Sequence, residues 1–294
     1  MIDSTPAVSL YTFSDAARLI QQADVLLICA GAGIGVDSGL PDFRGDHGFW
    51  KAYPALEHEG LTFFDLANPQ GFDKNAPRVW GFYGHRYQLY KQTIPHKGFQ
   101  ILKKWCSLKS HPSFIFTSNV DGQFQKAGFN EAQILECHGS INHLQCTGES
   151  GRLCKGIWPA ANDSNLQSLI INTESLTAQS SLPKCPHCHG LARPNILMFD
   201  DYNWQPERTE AQEKRFQCWK NSLNILKQKL LVIEVGAGTE IPSVRYLAES
   251  MSTDIIRINL WESNGADSVV LIPARGIEAL FEIDKLIDKT TTEQ

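Results

Sequence analysis

Four short apolar runs stand out along the chain: Asp24-Val-Leu-Leu-Ile-Cys-Ala30, Ser113-Phe-Ile-Phe-Thr117, Leu230-Leu-Val-Ile-Glu-Val235 and Asp254-Ile-Ile-Arg-Ile-Asn-Leu260. The first ends at glycines, and Glu234 interrupts the third. Runs of this length are the pattern of strands buried on both faces. Between them, residues 78–91, 97–108, 207–229 and 244–252 have helical character. Strands alternating with helices predict a parallel sheet covered on both faces, an α/β, doubly wound architecture.

Two segments break the alternation. Residues 46–95 are aromatic-rich and read as mostly helical. Residues 140–193 hold four clustered cysteines and a polar, serine-rich span at 160–181, expected as a loop or hairpin. Both are read as insertions that together build a smaller second domain. The large domain is then assigned 1–45, 96–139 and 194–294.

Composition narrows the partners. The 294 residues carry 27 Lys and Arg against 32 Asp and Glu, a net charge of −5, with the signs interspersed. This argues against nucleic acid or an anionic membrane as the main partner. The apolar runs fall far below the ~20 residues of a spanning helix. The first residues show no basic stretch followed by an apolar one, so no signal peptide is read. A soluble, cytoplasmic protein with reduced thiols is the expectation. The oligomeric state is not legible.

The first glycine-rich loop, Gly31-Ala-Gly33-Ile-Gly35-Val36, directly follows the first run. Glycines there let backbone approach a pyrophosphate, and a following helix N-terminus favours negative charge. Val36 stands where the usual third glycine would be, so a plain strand-to-helix turn is the competing reading. The loop continues into Asp37-Ser-Gly-Leu-Pro-Asp-Phe-Arg-Gly45, where a dehydrogenase would give a helix. Thr117-Ser-Asn-Val-Asp121 and Cys137-His-Gly-Ser140 follow, polar groups suited to the crevice at strand ends.

With these residues in place, the sequence resembles the sirtuin (Sir2) family of NAD-dependent protein deacylases. The family's motifs run G-A-G-I-S-x-x-S-G-I-P-D-F-R, T-Q-N-I-D, H-G, paired cysteines, R-P-x-(V/I)-V-x-F-G-E, G-T-S and I-N. This chain offers residues 31–44 and 117–121, His138-Gly139, the four cysteines, Arg193-Pro-Asn-Ile-Leu-Met-Phe-Asp200, Gly236-Ala-Gly238 and Ile258-Asn259, in that order. It departs at Gly35 for serine, Ser118 for glutamine, Asp200 for glycine and Gly236-Ala-Gly238 for G-T-S. All four departures are expected in loops touching NAD or the substrate peptide.

The resemblance implies a Rossmann-like large domain with a helical and zinc-bearing small domain, and NAD in the cleft between them. It implies that an acyl-lysine carbonyl oxygen attacks the nicotinamide ribose as nicotinamide leaves, with His138 as general base for a ribose hydroxyl. Histidine suits that role because its ordinary pKa of ~6.5 lies near working pH. Asn119 and Asp121 would orient nicotinamide and its ribose. Asp42 and Arg44 would hold the cofactor loop, and Phe43 would shield the intermediate from water. A loop-stabilising ion pair is the plainer reading of Asp42 and Arg44. Gly31, Ala32, Gly33, Ile34, Ser118, Gly236, Gly238 and Asn259 complete the implied NAD site. Acylated-lysine proteins or peptides are the implied partners.

Cys185-Pro-His-Cys188 is a CxxC knuckle, half of a tetrahedral thiolate site for structural zinc. Cys146 and Cys154, eight residues apart, are the expected second half. Cys137, His143, His187 and His189 are possible substitutes, and four unmetallated thiols the alternative.

Tyr83 and Arg86 lie three apart on a predicted helix and so share one face. An arginine there can read a carboxylate bidentately. The pair resembles the Tyr-x-x-Arg of class III sirtuins, which remove succinyl and malonyl groups. Ala67 in Asp65-Leu-Ala67 would leave room for the longer chain. One packed and one solvated residue on an amphipathic helix is the competing reading.

After the third run, Gly236-Ala-Gly238 followed 24 residues later by Glu262 has dinucleotide spacing, with the acid near an adenosine ribose. That also fits a nicotinamide dehydrogenase. Deacylation is the primary reading. An NAD hydrolase, an ADP-ribosyltransferase and an NAD-sensing module are the remaining rivals.

Overall fold

The computed structural model describes residues 10–42, 45–148, 153–262 and 269–292. The chain opens with α1 (Leu10–Gln22), β1 (Val25–Ala30) and the one-turn α2 (Gly33–Val36). Four helices follow: α3 (Gly45–Ala52), α4 (Pro54–His58), α5 (Phe63–Leu66) and the long α6 (Gln70–Gln92). Then come α7 (Lys97–Ser107), β2 (Phe114–Thr117), α8 (Gln123–Lys126) and β3 (Ile134–Glu136). A strand-rich stretch holds β4 (Gly139–Cys146), β5 (Ile157–Pro159), α9 (Ser164–Gln167), β6 (Ile171–Asn172), β7 (Thr177–Ala178) and β8 (Ala192–Ile196). The chain closes with α10 (Glu207–Leu226), β9 (Leu230–Val235), α11 (Ser243–Met251), β10 (Ile255–Ile258), β11 (Val269–Ile272) and α12 (Gly276–Thr292).

Six strands form one parallel sheet in the order β11-β10-β9-β1-β2-β3. This is the strand order of a dinucleotide-binding doubly wound fold, with the reversal between β1 and β9. All six residues of β1 are buried, which is why its run reads as continuous. Leu26, Ile28 and Ala30 face a layer built by α1, α7 and α12. Val25, Leu27 and Cys29 face the opposite layer, with Phe216 and Trp219 of α10 and Val244 of α11.

The acid that breaks the third run has a partner in the adjacent strand. Glu234 of β9 is paired in register with Arg257 of β10, and the Arg257 Nε lies 2.8 Å from the carboxylate. Both side chains are fully buried, and Glu249 of α11 takes a second guanidinium nitrogen at 2.8 Å. A buried charge persists only when paired in this way.

The expected helix at 78–91 is the straight part of α6, beyond a kink at Asn75 and Pro77. The one expected at 207–229 stops at Leu226, because Lys227 turns left-handed at φ 52°. The polar span at 160–181 forms α9 and the β6–β7 hairpin. That hairpin lies against α6 where Gly81 has no side chain; a Cβ there would stand 2.0 Å from the Leu176 carbonyl oxygen. α6 shares a single apolar cluster with α3, α4, α5, β4, the hairpin and the end of β8. Among the described residues, no helix is long and apolar enough to cross a membrane.

Candidate functional site

A cavity of about 790 Å³ opens at the carboxyl ends of β1 and β9, where the strand order reverses. Its size is in the range of small-molecule and cofactor sites. Gly31, Ala32, Gly33, Asp42, Ser118, Asn119, Asp121, His138, Gly236, Gly238 and Asn259 line it, as do Ala67, Tyr83 and Arg86. Ile34 does not; it is wholly buried in the core beneath the loop. Phe43 and Arg44 lie outside the described residues.

The floor is two glycine loops pressed together. Gly31 N–H donates to the Val235 carbonyl and Gly33 N–H to the Gly236 carbonyl, each at 3.0 Å. A Cβ on Gly31 would stand 2.6 Å from the Gly236 oxygen. Gly236 has φ 64°, and a Cβ there would stand 2.4 Å from the Ile34 nitrogen. These glycines are required by backbone packing before any ligand is considered. The helix expected after the first loop is only the single turn of α2, so close backbone approach, more than a long helix dipole, is what the loop offers.

Both loops are tied from behind. His96 accepts from Gly98 N–H at Nδ1 (3.0 Å) and, through Nε2, bonds the Ile34 carbonyl at 2.9 Å. With Nδ1 accepting, Nε2 is the protonated nitrogen. Asn259 donates Nδ2–H to the Ala237 carbonyl at 2.7 Å and accepts from Trp261 and Glu262 N–H, both at 3.0 Å. Arg245 of α11 donates to the Glu262 carbonyl at 2.6 Å. Asn259 therefore shapes the second loop as well as lining the cavity.

At the opposite end, Asn119 is held by two bonds. Its N–H donates to Thr117 Oγ1 and its Nδ2–H to the Gly31 carbonyl, each at 3.0 Å. Asp121 accepts from Gln123 N–H at 2.9 Å. Burial first, and the nearby Glu136 second among the raising influences, push its carboxyl up to about 6. Burial also holds the His138 imidazole below its usual value, against a hydrogen bond with the Ser118 backbone. His138 is therefore neutral at pH 7 and able to accept a proton.

A side branch runs to α6. Tyr83, Arg86 and Tyr90 lie on one face and all line the cavity. Arg86 is 6% exposed, donates Nε–H to the Tyr90 hydroxyl at 2.9 Å, and rests among the rings of Phe82 (5.2 Å), Tyr90 (5.4 Å), Tyr83 (5.7 Å) and Phe63 (6.0 Å). Burial, ahead of the opposing Arg86 charge, pushes the Tyr83 phenol up to about 12, so it stays a donor. Tyr90 was invisible as part of a three-residue spacing; its signal is the i+7 continuation of the Tyr83–Arg86 stripe.

Two of the four departures lie off the cavity wall. Gly35 packs against Leu40. Asp200 sits at φ 54°, the left-handed conformation that glycine favours. Its neighbour Asp201 takes Arg193 in a fully buried bidentate pair, both contacts 2.8 Å. Asp200 thus belongs to a turn that anchors β8. Ser118, Gly236 and Gly238 are on the wall.

Cys146, Cys154, Cys185 and Cys188 converge, with all four sulfurs within 4.8 Å of one another. No histidine joins them among the described residues. Cys146 and Cys188 are 3.7 Å apart, close to the roughly 3.8 Å between sulfurs on a tetrahedral ion with 2.3 Å Zn–S bonds. Gly148 N–H points at Cys146 Sγ (3.4 Å), the kind of donor a thiolate needs. Gln205 bridges the Cys154 carbonyl (3.0 Å) and Gly156 N–H (2.8 Å), which fixes the backbone next to Cys154. The donor set fits zinc.

Comparison with known proteins gives a consistent picture. The Sir2 family profile matches residues 31–219. An NAD-dependent protein deacylase of Thermococcus kodakarensis is 28% identical, over 89% of this chain and 89% of its own. The mitochondrial NAD-dependent protein deacylase sirtuin-5 of Canis lupus familiaris is 29% identical, over 68% of this chain and 64% of its own. Among solved structures, a mutant Sir2 homologue with ADP ribose superposes with a TM-score of 0.67 at 24% identity, covering 95% of this chain and 98% of that one. A Sir2 homologue complexed with NAD gives 0.65 at 22% identity, covering 94% of each.

Proposed function

The chain belongs to the Sir2 family, and from that premise we propose an NAD-dependent protein-lysine deacylase with a preference for acyl groups that end in a carboxylate. The products are nicotinamide, free lysine and an O-acyl-ADP-ribose. The observation that carries the acyl preference is the position of Arg86: buried, beside Tyr83, and on the wall of the same cavity as His138.

NAD supplies a ribose carbon activated by the departure of nicotinamide. The chain's residues do the rest. The loops at Gly31–Gly33 and Gly236–Gly238 offer backbone to the diphosphate, and Asn259 with Glu262 frames the adenosine end. Asn119 and Asp121 orient the nicotinamide end. His138, neutral at pH 7, takes the proton from a ribose hydroxyl. Asp42 lines the cavity, and the family motif to which Asp42, Phe43 and Arg44 belong carries over to them the role of shielding the intermediate from water. Ala67 leaves space along the acyl branch, and Tyr83 and Arg86 receive the terminal carboxylate through charge-assisted hydrogen bonds.

The large domain is assigned 1–45, 96–139 and 194–294, and the small one 46–95 and 140–193. The four cysteines hold one structural zinc ion. The compartment proposed is the cytoplasm, where the thiols that would hold the zinc stay reduced.

The test is product analysis by mass spectrometry with NAD and matched acetyl-, succinyl- and unmodified-lysine peptides. The proposal expects nicotinamide release that depends on the acyl group, with succinyl above acetyl. Equal release with the unmodified peptide would mean NAD hydrolysis instead.

A further inference from the structure

Arg86 donates Nε–H along α6 to the hydroxyl of Tyr90, one turn on, at 2.9 Å. Tyr90 is itself 5% exposed and lines the cavity. Its backbone is pinned in turn, since Gln123 donates Nε2–H to the Tyr90 carbonyl at 3.4 Å. Gln123 also donates its backbone N–H to the Asp121 carboxylate at 2.9 Å. Tyr90 therefore stands between the acyl branch and the Asp121 end of the cleft.

The chemistry of the two groups gives this contact a direction. A guanidinium presents five N–H donors in a rigid plane, so fixing Nε fixes the direction of the whole fork. A phenol that accepts from Nε–H uses a lone pair and keeps its own proton to donate. Burial, reinforced by the Asp121 carboxylate, raises the Tyr90 pKa against the pull of Arg86, so that proton is retained at neutral pH.

We propose that Tyr90 is a positioning and specificity residue: it aims the Arg86 fork along the acyl branch and offers its own O–H to the same acyl carboxylate. This rests on the carboxylate-reading role given to Arg86 above and adds a third member to the pair. The stripe Tyr83, Arg86, Tyr90 thus presents donor, cation and donor along one helix face.

The experiment is a double-mutant cycle on the full-length protein, with kcat and KM for succinyl- and acetyl-lysine versions of one peptide. Tyr90→Phe is expected to lower the succinyl-to-acetyl ratio of kcat/KM by about tenfold, the size of one hydrogen bond to a charged group. The loss should fall mainly on KM for the succinyl peptide. Placed on an Arg86→Met background, the same change should move the ratio much less, because the aiming contribution is gone and only the direct O–H donation remains. Tyr90→Leu, a second way to delete the hydroxyl, should shift the ratio in the same sense. Proportional loss on both peptides would make Tyr90 a packing residue, and equal shifts of the ratio on both backgrounds would remove its aiming of Arg86; either overturns the proposal. A wild-type protein without succinyl preference would overturn the Arg86 reading, and Tyr90's role with it. A wild-type preference that survives Tyr90→Phe overturns the Tyr90 role alone.

Discussion

Gly33 and Gly236 touch backbone to backbone: the Gly33 N–H donates to the Gly236 carbonyl at 3.0 Å, and a Cβ on Gly33 would stand 2.7 Å from the Gly236 Cα. One loop leaves β1 and the other leaves β9, so this contact sets the floor of the crevice.

Gly33→Ala should force the loops apart, cost about 1–3 kcal/mol of stability as overpacking does, and weaken NAD binding. Gly238→Ser should do neither, because a Cβ at Gly238 meets only a Glu262 carboxylate oxygen, at 3.9 Å. Thermal melts and calorimetric NAD titration separate the two. Equal tolerance at both sites would refute the account of the floor.

His138→Ala removes the neutral imidazole at the cleft. Deacylation should fall by about 10²–10⁴, the usual worth of a positioned base, while NAD affinity stays within a few-fold. Turnover near wild type would remove His138 from the proton-transfer role.

Arg86→Met keeps length and apolar contact but deletes the cation. Succinyl-peptide kcat/KM should drop by more than tenfold, as for loss of a charge-assisted pair, and acetyl-peptide activity far less. Parallel losses on the two peptides would reduce Arg86 to a packing residue.

Asp121 has its pKa raised in the folded state to about 6, from 3.8. The folded protein therefore binds this proton more tightly than the unfolded chain does. Stability from this group is highest below pH 4, falls as pH rises to about 6, and is flat above that. Asp121→Asn keeps an oxygen for Gln123 N–H and should remove this decline, so its melting-temperature advantage over wild type grows from pH 4 to 6 and then levels. A constant difference across that range would contradict the raised value.

One zinc per chain should be found in purified protein by elemental analysis, since four thiolates close the coordination sphere. Cys188→Ser should lower metal content and melting temperature together. Folded protein at full stability without metal would reject the site.

Much of this fold was written in the sequence. The four strand runs were legible because both faces of the sheet are covered. β3 was missed at only three residues, and β11, although as long as β2 and β10, was missed as well. The four cysteines were legible as a set despite the eight-residue gap, whereas the contact of Gln205 with Cys154 and Gly156 was not, because Gln205 lies far downstream in the chain. The second glycine loop's pressure on the first was not legible, because it depends on two strands becoming neighbours. Tyr90 was missed for a related reason: a one-turn hydrogen bond is visible only once the rotamer of Arg86 is known.

The Glu234–Arg257 pair acts as an indexing pin for the sheet. Sliding β10 by two residues along β9 would set Glu234 against Ile255 or leave Arg257 facing Val232, each a stranded charge in an apolar layer. Only one alignment of these strands avoids that. The loops at Gly236 and Asn259 leave the ends of those strands, so they reach the crevice at a common height. The cleft inherits its dimensions from a charge pair that never touches the ligand.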